Sequence, residues 1–157
     1  MNEHSKFMKR AIALADKGMQ QGAGGPFGAV IVKDGEIIAE GFNKVTSSHD
    51  PTAHAEVTAI REACATLKTF QLDACVLYTS CEPCPMCLGA IYWARFKKVY
   101  YGAGQRDAAN IGFDDQFIYD EIEKPMSDRK IPFEQLDRED AVVVFKKWDD
   151  KTDRIDY

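Results

Sequence analysis

Two short clusters in the 157-residue chain carry side chains that could bind a metal ion and move a proton. His54 stands two positions before Glu56, and Cys84 and Cys87 lie in the later segment P-C-P-M-C. One imidazole and two thiolates are three of the four ligands of a tetrahedral Zn²⁺, and three protein ligands leave a position for water. Because zinc lowers the pKa of bound water toward ~7, the set predicts a catalytic zinc site in which Glu56 takes up and returns a proton.

Other uses of these cysteines stay open at this point. Cys81, Cys84 and Cys87 are spaced like the start of an iron–sulfur ligand run, but the next ligand would be needed where Ile91 stands. A redox pair formed by Cys84 and Cys87 would leave the histidine and the glutamate without a role. A structural zinc site with Cys81 as fourth ligand would close the position that catalysis needs. A non-catalytic binding domain stabilised by zinc would likewise leave Glu56 without a role.

The elements around these clusters alternate between helix and strand. Periodicity predicts helices over about 3–20, from 52–54 to 67, and 85–95, and strands over 29–33, 36–40, 74–79 and 98–101. Asp34-Gly35 between the first two strands is typical of a hairpin. The last two strands are joined by a helix, so we expect them to be parallel with a right-handed crossover. Each metal-binding cluster then lies at a helix N-terminus.

Beyond Gly102 the pattern is looser, with helices predicted over 115–123 and 138–148 and a strand over 131–136. Residues 101–157 carry 15 acidic and 9 basic side chains, whereas residues 1–100 carry 10 and 11. Proteins that grip a nucleic-acid backbone normally show a basic stripe. The charge therefore favours a small-molecule substrate and no nucleic-acid partner.

The composition predicts one soluble domain over residues 1–157, because 45% of the residues are hydrophobic and no apolar run approaches the roughly 20 residues of a membrane span. The N-terminus lacks an export signal. Three of the five cysteines fall within seven residues, which suits a metal site in a reducing compartment. We therefore expect a cytoplasmic protein with no membrane partner, in which Cys64 and Cys75 belong to the core.

The pairing of H-A-E with P-C-x-x-C resembles the signature of the zinc-dependent nucleobase deaminases. More narrowly, the stretches 24–35, 50–61, 77–95 and 112–115 resemble the short bacterial guanine deaminases, and this resemblance runs nearly the whole length. It implies an α/β fold, the cytidine-deaminase-like three-layer α/β/α sandwich with a central mixed sheet. It also implies one Zn²⁺ per subunit, held by His54, Cys84 and Cys87, with Glu56 as the proton shuttle.

The resemblance further implies a pocket for a purine base. Asn43 matches an asparagine that holds the base through its amide, which can both donate and accept. Ala55 is expected to bind substrate between the histidine and the glutamate, and Phe27 and Trp93 are expected to wall a flat pocket, because base–aromatic stacking contributes roughly 1–3 kcal/mol. As plain sequence features, Asn43 could be a turn residue and both aromatic residues could be ordinary core.

A second carboxylate, Asp114 or Asp115, falls where guanine-type relatives place one near the leaving amine, and Asp115 is preferred as a catalytic residue. Guanine carries this amine on C2 beside N1–H, so an additional acceptor helps to select it. Residues 102–157 are expected to cover the active site, with Tyr157 at the lid. The subunits are expected to form a homodimer in which these segments could be exchanged.

The predicted reaction is hydrolytic deamination of guanine to xanthine and ammonia, in purine salvage or degradation. A tRNA adenosine deaminase shares both clusters and a similar length, but a basic C-terminal helix is expected there for the anticodon arm. Another nucleobase or nucleoside deaminase, acting for example on cytosine, would share the metal chemistry and differ only in pocket shape.

Overall fold

A computed structural model describes residues 2–157 of the chain. The chain divides into two compact units, the first ending at Asp115 and the second spanning Gln116–Tyr157. Within residues 2–157, none of the helices combines the length and the apolar character that crossing a bilayer requires.

The first unit alternates between helix and strand in the predicted order. Its helices are α1 (Glu3–Gln20), α2 (Val45–Ser48), α3 (Ala55–Leu67), α4 (Pro85–Ala94) and α5 (Gln105–Asn110). Its strands are β1 (Gly28–Lys33), β2 (Glu36–Phe42), β3 (Cys75–Cys81) and β4 (Lys98–Ala103). The sequence analysis did not predict α2 and α5, because helices of four and six residues are too short to show an apolar period.

The four strands form one mixed sheet in the order β2-β1-β3-β4. β1 is antiparallel to β2 and to β3, whereas β3 and β4 are parallel, as their connection through a helix predicted. Asp34 and Gly35 connect β1 to β2 with φ of 52° and 81°, the positive values that a two-residue hairpin turn requires. The mixed sheet of the predicted fold class is confirmed.

Helices cover both faces of this sheet. On one face, Phe7, Ala11 and Leu14 of α1 pack with Val30 and Tyr78. On the other face, α3 and α4 pack against alternate strand residues, because successive side chains of a strand point to opposite faces. That core contains Ala29, Ile31, Leu77, Ile91 and the alanines 55, 59 and 63. The result is the three-layer sandwich expected from the sequence.

Helix α3 packs closely against the sheet through its small residues. Its fully buried residues are alanines 55, 59 and 63, and a Cβ on Gly41 would lie 2.5 Å from the backbone oxygen of Ala55. The larger apolar residues of the helix are only partly buried, and they include Cys64, which packs at the margin of the core. Cys75 is buried, as expected. The small residues therefore hold the N-terminus of α3 against β2.

The second unit contains α6 (Gln116–Glu123), a 3-10 helix (Met126–Asp128) and α7 (Arg138–Asp149). The two predicted helices are confirmed within one residue at each end. The strand predicted over 131–136 is wrong, since this stretch has no regular structure. Pro132 lacks a backbone donor, and residues 116–157 offer no strand for it to pair with. Large apolar side chains of this unit are exposed, among them Phe117, Ile131, Leu136, Phe145 and Ile155.

Candidate active site

Two helix N-termini bring the predicted metal ligands together. His54 is the residue immediately before α3, with φ −67° and ψ 157°, and Cys84 occupies the same position before α4, with φ −67° and ψ 168°. In a helix, successive side chains are rotated by 100°, so residues two apart point to different faces. His54 has an extended backbone and lies before the helix, so its side chain is not bound by this rotation relative to Glu56. Pro85 in the first turn of α4 suits a position whose N–H has no partner within the helix. Both clusters thus lie at helix N-termini, as predicted from the sequence.

The donor atoms of His54, Cys84 and Cys87 converge. Nδ1 of His54 lies 3.4 Å from Sγ of Cys84 and 3.5 Å from Sγ of Cys87, and all three donor atoms lie within 4.8 Å of one another. A tetrahedral zinc with bonds of about 2.0–2.1 Å to nitrogen and about 2.3 Å to sulfur separates its nitrogen and sulfur ligands by about 3.5 Å. The residues present therefore fit a zinc ion in both chemistry and spacing.

The electrostatics of the cluster favour the thiolate form of one of the two cysteines, Cys84. A hydrogen bond from Cys87, together with the neighbouring His54, lowers the pKa of Cys84 to about 4. The same contact and burial raise the pKa of Cys87, because two adjacent sulfur atoms cannot both be charged without a cation between them. The hydrogen bond with Cys84 raises the pKa of His54. A divalent cation bound between the two sulfur atoms would offset their repulsion, so that both could be thiolates.

Cys81 does not join this group. Among residues 2–157, the set of converging metal-binding side chains contains His54, Cys84 and Cys87 only. The thiol of Cys81 lies 4.0 Å from the carbonyl oxygen of Gly104, and its pKa is raised to about 11, chiefly by burial. The geometry favours three protein ligands over a closed four-ligand site.

Glu56 lies beside the sulfur atoms and is 6% exposed. Its Oε1 lies 2.8 Å from the hydroxyl of Thr79, and its Oε2 lies 3.3 Å from Sγ of Cys87. Burial raises the pKa of this carboxyl. Thr79 thus holds one carboxyl oxygen, and the other faces the metal-binding group.

Asn43 directly follows β2, and its carboxamide is held in one orientation. Its Oδ1 accepts from the N–H of Val45 at 3.0 Å and of Gly25 at 3.3 Å. Its Nδ2 has no hydrogen-bond partner within the described chain. A Cβ on Gly24 would lie 2.1 Å from Oδ1, so glycine is required there. The NH₂ group is therefore the part of this side chain that can bind a ligand, as a donor, whereas both donor and acceptor roles were open from the sequence alone.

Phe27 is partly buried, and its ring meets Phe113 edge to face with centroids 4.9 Å apart. A Cβ on Gly25 would lie 3.1 Å from both rings, so this glycine makes room for the pair. A cavity of about 430 Å³ borders Phe27 and Cys81 on the side of α1 and α5. No metal-binding residue lines this cavity, so it is a separate feature.

The remaining predicted site residues are less closely grouped. Ala55, the first residue of α3, is fully buried. Asp115 accepts a hydrogen bond from Gln105, a residue that the sequence analysis did not single out. Trp93 is 63% exposed, with the guanidinium of Arg95 5.9 Å from its ring. Asp114 and Tyr157 are both exposed, Tyr157 in the second unit.

Known proteins resemble this chain along most of its length. The family profile described as the cytidine and deoxycytidylate deaminase zinc-binding region matches residues 1–103. A guanine deaminase of Bacillus subtilis is 61% identical over 154 residues, covering 98% of this chain and 99% of that protein. A tRNA-specific adenosine deaminase of Aquifex aeolicus is 36% identical over 142 residues, covering 90% of this chain and 91% of that protein.

Solved structures agree with these sequence relationships. The crystal structure of the Bacillus subtilis guanine deaminase superimposes with a TM-score of 0.96 at 61% identity, covering 100% of this chain and 99% of the other. A guanine deaminase structure from Nitrosomonas europaea gives a TM-score of 0.68 at 34% identity over 73% of this chain and 65% of the other. The metal-binding group and these matches together establish that the chain belongs to the cytidine and deoxycytidylate deaminase zinc-binding family.

Proposed function

We propose that this protein hydrolyses guanine to xanthine and ammonia. The observation that carries the proposal is the 61% identity to a guanine deaminase along 98% of the chain. The tRNA-specific adenosine deaminases are more distant, at 36% identity for the Aquifex aeolicus protein. The acidic C-terminal third also disfavours an RNA substrate, because binding to an RNA backbone depends on basic side chains.

His54, Cys84 and Cys87 would hold one zinc ion per subunit, and the ion would supply activation of a water molecule at neutral pH. Glu56 then moves the proton. Thr79 fixes its Oε1, which leaves Oε2 at the metal-binding group to accept a proton and deliver it to the purine. Asp115 is the second carboxylate and serves the leaving amine. Proton transfer by a positioned carboxylate contributes on the order of 10²- to 10⁴-fold in rate.

Asn43 recognises the base as a donor. Because two backbone N–H groups occupy its Oδ1, the NH₂ group is the part available to an acceptor on the purine edge. Phe27, fixed by its contact with Phe113, forms an aromatic wall of the pocket. Ala55 borders the pocket, and Asp114 and Trp93 are retained as weaker candidates for substrate contact.

The active form would be a homodimer, with residues 102–157 as a covering segment that could be exchanged between subunits and Tyr157 as part of the lid. The support is in the second unit, where large apolar side chains such as Phe145 (71% exposed) and Leu136 (78% exposed) lack burial. Apolar surface of this extent is typical of an interface. The protein would work in the cytoplasm, in purine metabolism.

Ammonia release from a panel of substrates tests the proposal. Purified protein loaded with zinc should turn over guanine, and should turn over guanosine, adenine, cytosine and an anticodon stem-loop much less. Glu56→Gln should retain zinc and lose most of the turnover, since the amide cannot accept the proton. Activity on the stem-loop without activity on guanine would contradict the proposal, and full activity of Glu56→Gln would contradict the role of this residue.

A further inference from the structure

A chain of hydrogen bonds connects the metal-binding loop to the second carboxylate. The side-chain Nε2 of Gln105 donates to Oδ1 of Asp115 at 2.9 Å, and the backbone N–H of Gln105 donates to Oε2 of Glu82 at 2.8 Å. Glu82 stands two residues before Cys84, and its own N–H donates to the carbonyl of Ala103 at 2.8 Å. Gln105 therefore contacts both the carboxylate and the loop that leads to the metal ligands.

Asp115 needs such a tether, because residues 111–115 belong to no helix or strand. Gly112 in this segment has φ of 94°, and the N–H of Phe113 donates back to the carbonyl of Ala108 at 3.0 Å. These contacts fix the backbone but leave the carboxylate to rotate. The amide of Gln105 can only donate at Nε2, so it commits Oδ1 as an acceptor. Within the described chain, Oδ2 of Asp115 has no hydrogen-bond partner and is available to a ligand.

The tethered carboxylate and the proton-moving residue both act on the thiol of Cys81. Burial is the main cause of the raised pKa of the Cys81 thiol. The negative charges of Glu56, Glu82 and Asp115 raise this pKa further. Glu56 and Asp115 therefore both lie within electrostatic range of one buried sulfur. The bond from Gln105 therefore orients a carboxylate that lies in the same part of the molecule as Glu56.

We propose that Gln105 is a positioning residue that orients the Asp115 carboxylate for reaction, and that Glu82 aligns it with the metal-binding loop. The inference rests on the proposed function, because it assigns Gln105 a task only if Asp115 takes part in guanine deamination. Gln105 itself does not touch the substrate. Its effect is exerted through the direction of one carboxylate, and a displacement of about 1 Å at a catalytic group can lower a rate on the order of 100-fold.

Gln105→Met tests the proposal, since methionine keeps the length of the side chain and removes the donor. We expect kcat on guanine to fall on the order of 10- to 100-fold, with KM changed much less and with melting temperature and zinc content retained. The matched control is Gln20→Met, which removes an amide–carboxylate contact of the same 2.9 Å length, to Asp16 on α1. The control should keep wild-type kcat.

A double-mutant cycle separates positioning from a general structural role. Once Asp115→Asn has lowered kcat, adding Gln105→Met should lower it little further, because the group to be oriented is already lost. Glu82→Met, which removes the acceptor for the backbone N–H of Gln105, should lower kcat in the same direction as Gln105→Met.

Three results would overturn the inference. The first is wild-type kcat in Gln105→Met, and the second is a full additional loss when Gln105→Met is added to Asp115→Asn. The third is an Asp115→Asn variant that turns over guanine normally, in which case guanine deamination stands and the positioning role falls. A wild-type protein that releases no ammonia from guanine would instead overturn the proposed function, which the substrate panel detects separately.

Discussion

Gly24→Ala tests the proposed role of Asn43 in binding the purine without changing Asn43 itself. The added Cβ would lie 2.1 Å from Oδ1 of Asn43 and 2.7 Å from its backbone oxygen. An ordinary contact needs more than 3 Å, so the carboxamide must move by roughly 1 Å, which can cost on the order of 100-fold in kcat/KM. The movement also breaks the bonds to Gly25 and Val45, each contributing about 0.5–1.5 kcal/mol to stability.

We expect kcat/KM on guanine to fall about 10- to 100-fold, mainly through a higher KM, because the proposed role of Asn43 is to bind the base in the ground state as well as in the transition state. Steady-state ammonia release at varied guanine concentration measures the change. Gly89→Ala is the matched control, since a Cβ at Gly89 meets nothing within 4 Å and alanine is favoured in a helix by about 1 kcal/mol. The control should keep wild-type kinetics.

Asn43→Asp separates the recognition of the base from the folding of the loop. Its Oδ1 can still accept from Gly25 and Val45, but the NH₂ group, which is the donor in the proposed contact with the base, is replaced by an acceptor. This variant should keep its melting temperature and lose kcat/KM to a similar extent as Gly24→Ala. Wild-type KM in both variants would refute the reasoning that the amide of Asn43 is a fixed donor.

Three further predictions concern stability. His4→Phe should lower the free energy of unfolding by about 1–3 kcal/mol in urea denaturation, because it removes the contacts of His4 with the hydroxyls of Tyr78 (2.6 Å) and Tyr100 (3.3 Å); an unchanged midpoint would contradict it. Arg10 lowers the pKa of Glu40 below its ordinary value of 4.5, mainly through a hydrogen bond, so the pair stabilises the fold above pH 4.5 and its contribution, under about 1 kcal/mol, is lost as pH falls further; an Arg10→Met deficit that persists at low pH would count against it. Chelation should lower the melting temperature of the wild type, since a bound ion stabilises only the folded state, and should not change that of Cys84→Ser.

Local chemistry allowed much of the fold to be predicted from the sequence. Asp34-Gly35 located the hairpin because positive φ at both positions needs such residues. Pro85, the second proline of P-C-P-M-C, indicated the start of a helix. Both metal-binding clusters could therefore be placed at helix N-termini. The strand predicted over 131–136 was wrong, because an apolar run alone does not show that a partner strand exists.

The rest depends on contacts between residues distant in sequence. Helix α5 has no apolar face, and its first N–H is satisfied by Glu82, 23 residues earlier in the chain. Neither this helix nor the contact of Gln105 with Asp115 leaves a local signal. The donor orientation of Asn43 could not be predicted either, because it depends on the approach of Gly24 and Gly25 from another loop.

Anomalous diffraction at the zinc absorption edge, on crystals of the zinc-loaded protein, would locate the metal ion. We expect one anomalous peak per subunit, bonded to Nδ1 of His54 and to the sulfur atoms of Cys84 and Cys87, with a fourth position open toward Glu56. A peak elsewhere, or a fourth bond to the sulfur of Cys81, would contradict it.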